Sequence, residues 1–366
     1  MSAVSTPVGS TWPTLARERA RREAFVLGGI TLLSFAALLV VLTLSEAPLT
    51  WVMLGVYAVC AAALAWRTTA RYPFIAFILP GLSMYLLFVI FPTAQAFRVS
   101  LYEWSGIGEA TKFVGLRNFG QALTSSVFYR ALGHNLLLYA TIFILQNTIA
   151  LFMAVVLHTK LRFFQTYRAA IFLPGILSLI ASGLMWQIIL GPNIGMLSPL
   201  MQALGLGFLV RDWLGDDIAT FWVLVLVQFW QWMGLPMVIY LAGLQNVPED
   251  LTDAARIDGA SEMQAFRYVT FPMLAPSFTV ITGLSFIVMF RVFDIPFVIA
   301  GPAGAPNGTT DVLGLVIYRY AFGIGASVST SLQQGYAMAV AVVMFVALVA
   351  ATILQLVALR RRELNI

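Results

Sequence analysis

Residues Gln245–Pro272 read QNVPEDLTDAARIDGASEMQAFRYVTFP and interrupt a chain that is otherwise strongly apolar. This stretch, here called the acidic segment, holds five acidic and two basic residues, a net charge of −3. Pro248 followed by Glu249 and Asp250 predicts a helix start, because proline fits the first turn and carboxylates favour the positive end of the helix dipole. Gly259 predicts the end of that helix, where a side chain would resist the backbone conformation.

On both sides of the acidic segment the composition is that of a membrane protein. Of the 366 residues, 60% are hydrophobic and 10% are charged, and the mean hydropathy is +0.89, whereas soluble domains carry about 25% charged residues. Because a helix needs about 20 apolar residues to cross the hydrocarbon core, we predict an all-α polytopic membrane protein with eight spans. They cover residues 24–44, 49–66, 74–97, 135–157, 169–190, 218–244, 273–300 and 333–359.

Basic residues predict the orientation of these spans. With the N-terminus in the cytoplasm, 14 of the 21 lysines and arginines fall on the cytoplasmic side. This excess follows the positive-inside rule and places both termini in the cytoplasm. The net charge of +5 then reflects orientation, so no nucleic-acid partner is expected. Arg291 and Asp294 lie three residues apart in the predicted seventh span, where we expect a local ion pair with a structural role.

Several kinds of catalytic and metal site are excluded. Cys60 is the only cysteine, which rules out an internal disulfide and a thiolate metal cluster. His134 and His158 are too few for a zinc site built from imidazoles. The sequence contains no G-x-x-x-x-G-K-[ST], G-x-S-x-G, H-E-x-x-H or C-x-x-C motif. We therefore expect no cofactor and no enzyme activity.

Three other interpretations stay open at the level of the residues. An ion-coupled secondary transporter needs buried acids for its coupling ion, and the spans offer only Asp294, beside Arg291. A membrane-embedded enzyme needs a catalytic pair, and the spans contain no pair of carboxylates placed for acid–base work. From its pattern alone, the acidic segment also fits a capped helix in a solvated loop.

The order of residues inside the acidic segment resembles a known motif. The pattern D-A-A-R-I-D-G-A-(x)5-F-(x)5-P, from Asp253 to Pro272, is similar to the EAA loop in permease subunits of binding-protein-dependent ABC importers, most closely the maltose-type carbohydrate branch. The stretches FVGLRNF, WQWMGLP and FRVFD, which begin at Phe113, Trp230 and Phe290, also resemble that family. Asp253 stands where the motif begins with glutamate.

This resemblance implies an architecture and a set of partners. Residues 74–366 would form the six-helix core of a type I importer permease, and residues 1–73 an N-terminal extension of two helices. The partners would be a second, different permease subunit, an ATPase homodimer at the cytoplasmic face, an external solute-binding protein and the lipid of a bacterial or archaeal cytoplasmic membrane. The residues expected to couple the chain to the ATPase are Glu249, Asp250, Asp253, Ala254, Ala255, Asp258, Gly259, Ala260 and Pro272.

The resemblance also implies a sugar substrate, most simply a di- or oligosaccharide, with glycerol phosphate or another solute as the alternative. Aromatic faces stack on sugar rings, while amides and hydroxyls bond to their OH groups. Such side chains in the fifth to seventh spans define a candidate path, although the same residue types also serve as packing residues within membrane helices. The candidate path consists of Gln228, Trp230, Gln231, Trp232, Ser182, Trp186, Ser285 and Met289.

Overall fold

The computed structural model describes residues 81–82, 84–108, 110, 112–159, 162–191, 195–324 and 332–363. The spans predicted at 24–44 and 49–66, and with them the predicted N-terminal extension, lie outside these residues. The chain divides into two compact units, Met1–Gln95 and Ala96–Ile366. The second unit contains both the acidic segment and the candidate path.

The described residues are mainly helical, with one short antiparallel hairpin that pairs β1 (Tyr102–Glu103) with β2 (Lys112–Phe113). A short 3₁₀ helix at Leu173–Ile176 and a π-helical turn at Phe266–Thr270 continue two of the helices. The helices are α1 (Leu86–Val99), α2 (Arg117–Thr124), α3 (Ser126–His158), α4 (Phe164–Phe172), α5 (Leu179–Leu190), α6 (Leu197–Ala203), α7 (Asp217–Trp232), α8 (Gly234–Gln245), α9 (Glu249–Ile257), α10 (Glu262–Ala265), α11 (Phe271–Met273), α12 (Ala275–Phe290), α13 (Asp294–Ala300), α14 (Leu313–Phe322) and α15 (Gln334–Glu363).

Among the described residues, two helices are long and apolar enough to cross a membrane unbroken: α3 and the part of α15 from Gln334 to Gln355. Three further candidate spans each consist of two helices that meet at a bend. The bend measures 97° between Phe164–Ile176 and α5, 43° between α7 and α8, and 60° between Glu262–Met273 and α12. The predicted helical class is confirmed, and the number of eight spans stays a prediction.

The prediction of the seventh span as one continuous helix over 273–300 is wrong. α12 and α13 are separate helices, and Pro296 gives the reason. In a continuous helix its ring would clash with the carbonyl of Val292, four residues earlier, whereas the break places Pro296 in the first turn of α13. Arg291 and Asp294 therefore lie on either side of the break. Neither has an ion-pair partner in the part of the chain that the structure describes, so the expected Arg291–Asp294 pair is also wrong.

The long helix α3 lies at the centre of the buried core. In its second half the small side chains of Ala150 and Ala154 pack against Tyr240 of α8 and Ile281 of α12. In its first half Phe128 packs against α14 and α15. A further buried cluster joins α5, α7 and α13. Small residues let helix backbones approach closely where burial of apolar surface does not by itself favour contact, and α3 thereby connects both ends of the bundle.

Candidate functional site

The first half of the acidic segment forms α9, which begins after Pro248 as predicted. The helix ends in a Schellman motif, in which the N–H of Ala260 donates to the carbonyl of Ala255 at 3.0 Å. Gly259 lies between them with φ of +84°, a left-handed conformation that glycine adopts without steric cost. The helix end predicted from Gly259 is confirmed.

The second half of the acidic segment begins with a capping box. Ser261 Oγ accepts from the N–H of Gln264 at 3.4 Å, and Gln264 Oε1 accepts from the N–H of Ser261 at 2.8 Å. This arrangement satisfies two backbone donors at the start of α10. The chain then continues through α11, which contains Pro272, and bends by 60° before α12. Pro272 therefore precedes the bend.

A single guanidinium connects α9 to α10. Within α9, Arg256 Nη1 donates to Asp253 Oδ1 at 2.8 Å. Across the turn, Arg256 Nε and Nη2 donate to the two carboxylate oxygens of Glu262 at 2.8 and 3.0 Å, which is the strong two-bond form of this pair. Hydrogen bonding to Arg256 lowers the pKa of the Glu262 carboxyl below its ordinary value. We call this group of three side chains the Arg256 clasp.

The acidic segment presents apolar side chains to its surroundings. Ile257 and Met263 expose 86% and 72% of their surface, and exposed apolar groups bordered by charge are typical of a contact surface. Of the residues predicted to couple the chain to an ATPase, six are exposed and three are half-buried. The exposed ones are Glu249, Asp250, Asp253, Ala254, Asp258 and Gly259, and the half-buried ones are Ala255, Ala260 and Pro272.

A cavity of about 1020 Å³ lies beside the acidic segment. On one side it is lined by apolar residues of α3, among them Leu151 and Val155, and on the other by the Arg256 clasp. The cavity lies on one side of α9, and the helix packs mainly against α10 and the turn that follows α10. The position of α9 therefore depends on the second half of the acidic segment.

The candidate path brings together side chains of α5 and α7. Trp186 and Trp230 form an edge-to-face pair with ring centroids 5.7 Å apart. Ser182 is fully buried and Gln228 is buried. The structure therefore brings Trp186 and Trp230 of the candidate path together, and the grouping of these four residues as a solute path stays a prediction.

Six buried side-chain polar atoms have no hydrogen-bond partner among the described residues, and five of them belong to the candidate path. A buried polar atom without a partner costs about 1–3 kcal/mol, so such atoms need a polar ligand or another arrangement of the helices to satisfy them. The five are Ser182 Oγ, Trp186 Nε1, Gln228 Oε1, Gln231 Oε1 and Trp232 Nε1; the sixth is Trp213 Nε1.

Three of the remaining four residues of the candidate path line a much smaller space. Trp232, Ser285 and Met289 surround a cavity of about 20 Å³ together with Gln146. A volume of this size accommodates about one water molecule, so a sugar does not fit there in this conformation. Ser285 Oγ donates to Gln146 Oε1 at 3.5 Å.

Gln231 differs from the rest of the candidate path because its amide nitrogen is already engaged. It donates to the carbonyl oxygens of Pro174 at 2.7 Å and Leu177 at 2.9 Å. Both carbonyls belong to the turn between α4 and α5. The structure therefore gives Gln231 a role in supporting that bend.

Comparison with known proteins identifies the family. Residues 121–363 match the model for the inner membrane component of binding-protein-dependent transport systems. The chain belongs to this family of inner-membrane permeases. It is 34% identical to a probable ABC transporter permease protein, YurN, of Bacillus subtilis over 283 residues, covering 76% of this chain and 93% of the relative.

A second relative and a solved structure agree with the assignment. The chain is 31% identical over 280 residues to MsmF of Streptococcus mutans, a multiple sugar-binding transport system permease protein, covering 76% of this chain and 92% of MsmF. A chain in the crystal structure of a bacterial ABC transporter involved in alginate import has the same fold, with a TM-score of 0.69 at 18% identity, covering 81% of this chain and 98% of that one. The protein is thus a transport subunit and not an enzyme, and the predicted family is confirmed.

The sequence-based selection missed polar residues that support breaks in the permease helices. Pro236 cannot donate to the carbonyl of Trp232, four residues earlier, and Gln146 Nε2 donates to that carbonyl at 2.7 Å. Asn135 Nδ2 donates to the carbonyl of Met289, near the end of α12, at 3.0 Å. The signal was available, because both amides interrupt an apolar run in α3.

A second missed group lies beyond α12, at the opposite end of the permease from the acidic segment. Arg319 forms two bonds to the carboxylate of Asp311, at 2.8 and 2.6 Å, and Arg319 also donates to the carbonyl of Pro302 at 3.1 Å. Asp311 is 1% exposed, and its carbonyl lies 2.8 Å from His134 Nδ1. This ion pair holds the Gly- and Pro-rich stretch before α14 in place. Among the described residues, no group of His, Cys, Asp or Glu is arranged to hold a metal ion.

Proposed function

We propose that this permease is one of two different transmembrane subunits of an ABC importer for a sugar, most simply a di- or oligosaccharide, driven by a separate ATPase homodimer. The observation that carries the proposal is the acidic segment. It is an exposed helix–turn–helix with Ile257 and Met263 open to a partner and an excess of acidic residues on a chain that is otherwise basic. Such a surface suits an apolar cleft with a basic rim.

In the proposed complex, α9 docks into the ATPase. Ala254 is exposed and small, so a cleft can close on that face of the helix. Closure of the ATPase dimer on ATP moves the acidic segment, and the motion reaches the spans through α11 and α12. This is a two-state change driven by differential contacts in the two states. In this arrangement both termini and the acidic segment lie in the cytoplasm, eight spans cross the membrane, and residues 1–73 extend the six-helix core.

The solute path runs between α5, α7 and α12 near the middle of the membrane. Five of its eight residues carry buried polar atoms without a partner among the described residues, which supports a site where a polar solute or a rearranged state meets these atoms. The aromatic faces of Trp186 and Trp230 suit the apolar faces of sugar rings. An external solute-binding protein delivers the solute to the end of the permease that carries the Asp311–Arg319 pair.

A sugar is favoured over a phosphorylated solute for a chemical reason. Phosphate recognition uses arginine or lysine in bidentate or point-charge contacts. The candidate path contains neither residue type. The name of MsmF, a permease of a multiple sugar-binding system, points the same way. Glycerol phosphate therefore serves as the comparison solute.

Two measurements test the proposal. The solute-binding protein encoded with this permease is titrated by calorimetry with maltotriose, trehalose, lactose and glycerol 3-phosphate, and binding of a sugar alone is expected. The full complex in proteoliposomes is then assayed for uptake of the bound sugar with internal ATP or with an imposed proton or sodium gradient. Uptake that needs ATP and no gradient is expected. Uptake driven by a gradient without ATP would overturn the proposed ATPase-driven mechanism. Affinity for glycerol 3-phosphate alone would overturn the proposed sugar substrate.

A further inference from the structure

We infer that Arg256 is a positioning residue that joins α9 and α10 into one rigid unit, so that a force applied to α9 reaches the spans. The inference rests on the proposed function, because it assigns how the acidic segment transmits motion once an ATPase holds it. Its basis is the Arg256 clasp together with the conformation of the turn that the clasp bridges.

The turn between α9 and α10 is held by backbone hydrogen bonds of the Schellman motif and by the capping box at Ser261, and the Arg256 clasp adds a side-chain connection from α9 to α10. Gly259 has no side chain, and a Cβ added there would meet no atom within 4 Å. Ala260 contributes one methyl group. α9 packs mainly against α10 and the turn after it, and on its other side lies the cavity of about 1020 Å³. Without the clasp, only the Schellman hydrogen bonds and this packing would oppose a rotation of α9 about Gly259 relative to α10.

The geometry of the clasp opposes such a rotation. Two bonds from one planar guanidinium to both oxygens of Glu262, at 2.8 and 3.0 Å, fix direction as well as distance. The third bond, to Asp253 at 2.8 Å, holds the guanidinium against its own helix. Hydrogen bonds to Glu262 and Asp253 raise the pKa of Arg256 above its ordinary value, in agreement with a charged group held by two carboxylates.

Beyond the clasp, the chain is anchored in the core. Ala265, at the end of α10, is 1% exposed, and Leu274, at the bend before α12, is 2% exposed. Leu274 packs in the same buried cluster as Tyr240 of α8 and Ile281 of α12. A displacement of α10 therefore changes contacts in the core, whereas a displacement of α9 alone does not. The Arg256 clasp couples a displacement of α9 to a displacement of α10.

The clasp also reassigns the acidic residues of α9. Asp253 is engaged by Arg256 within the chain. Glu249, Asp250 and Asp258 are exposed and form no ion pair among the described residues. These three carboxylates are therefore available to a basic rim on the ATPase without a competing ion pair, whereas Asp253, although 63% of its side chain is exposed, also binds Arg256 through Oδ1.

The test compares assembly with coupling in the complete transporter. In the variant R256Q, the ATPase is expected to co-purify with the tagged permease as it does in the wild type. Stimulation of ATP hydrolysis by the sugar-loaded binding protein is expected to fall by about fivefold. Hydrogen exchange of the amides of residues 253–257, in the second half of α9, in the same complex is expected to speed up by a similar factor. E262Q should give the same loss of coupling. The double variant R256Q/E262Q should lose no more than either single variant, because both changes break one interaction. R256K, which keeps the charge, should recover part of the coupling.

The matched control is R211Q. Arg211 forms an ion pair with Asp216 at 2.8 Å, and 46% of its side chain is exposed against 47% for Arg256. Arg211 lies outside the acidic segment. R211Q is expected to leave coupling unchanged. Normal coupling in R256Q, or additive losses in the double variant, would overturn the clasp while leaving ATPase docking in place. Loss of ATPase co-purification in R256Q would overturn the positioning role and make Arg256 a docking residue. If a photoactivatable cross-linker attached to the cysteine of I257C in a C60S background labels no ATPase in the complete transporter, the proposed function itself fails.

Discussion

The side-chain amide of Gln231 lies 2.7 Å from the carbonyl oxygen of Pro174, in the turn where α4 and α5 meet. This turn bends the chain by 97°, and such a bend leaves carbonyl groups without their helical donors. Within a membrane an unsatisfied backbone group has no water to bind. The amide from α7 donates to the carbonyl of Leu177 and adds a second donor to that of Pro174, which also accepts from the N–H of Leu177 at 3.2 Å. An apparent solute-binding residue therefore supports the backbone.

We predict that Q231L destabilises the permease by about 1–3 kcal/mol, because the carbonyl of Leu177 loses its donor and the carbonyl of Pro174 keeps only the N–H of Leu177, at 3.2 Å. Thermal unfolding in detergent, followed by tryptophan fluorescence, measures the effect. The control is Q187L, since Gln187 is a half-buried glutamine on α5 with no side-chain hydrogen bond among the described residues. A Q231L protein of normal stability but altered sugar preference would instead place Gln231 in the solute path.

The two ends of α9 in the acidic segment could be predicted from the sequence, because each of the signals is local. Pro248, the acidic first turn and Gly259 act through the backbone of their own helix, and the structure agrees at both ends of α9. The breaks in the spans also had local signals, since Pro236 and Pro296 exclude a continuous helix through the carbonyl four residues earlier. Hydropathy alone does not register them, because proline in an apolar run hardly changes the average.

What could not be predicted depends on pairs of residues far apart in the chain. Gln231 and Pro174 are 57 positions apart, and Gln146 and Trp232 are 86 apart. No periodicity connects such positions. The Arg256 clasp spans six positions across a turn, but its geometry depends on the direction in which Gly259 sends the chain. The sequence pattern therefore predicts a partner protein for Asp253 and carries no sign that Arg256 also binds this carboxylate within the chain.

Trp230 is expected to act on the solute through its ring. Truncation to alanine in W230A removes the edge-to-face contact with Trp186 and a stacking face for sugar. An aromatic contact worth about 0.5–1.5 kcal/mol corresponds to about a two- to tenfold loss in uptake. Uptake of labelled sugar by proteoliposomes is the measurement, with sugar-independent ATP hydrolysis unchanged. W222A is the control, because Trp222 lies on the same helix but is 51% exposed; equal losses in both variants would remove Trp230 from the path.

The buried pair of Asp311 and Arg319 should respond strongly to the loss of one partner. D311N leaves the guanidinium, which is 11% exposed, without a counter-charge, and breaking a buried pair in this way costs about 3–5 kcal/mol. Thermal unfolding of the purified permease measures the loss. E103Q, which breaks the exposed pair between Glu103 and Lys112, should leave the melting temperature unchanged. Comparable shifts in both variants would mean that burial does not set the strength of the Asp311–Arg319 pair.

Substitutions of Gly259 should act through the backbone conformation at this position and not through steric contacts with neighbouring residues. At φ of +84° with open space around it, any L-residue costs about 1–2 kcal/mol, and a β-branched one more. G259I is therefore expected to reach the membrane and assemble but to hydrolyse ATP without sugar uptake, because α9 changes direction relative to α10. G259N should retain most uptake, since asparagine tolerates this region. G205I imposes the same strain at φ of +74°, also in open space, but outside the acidic segment, and should transport normally. Full uptake by G259I, or equal loss in G205I, would contradict a role for this turn in coupling.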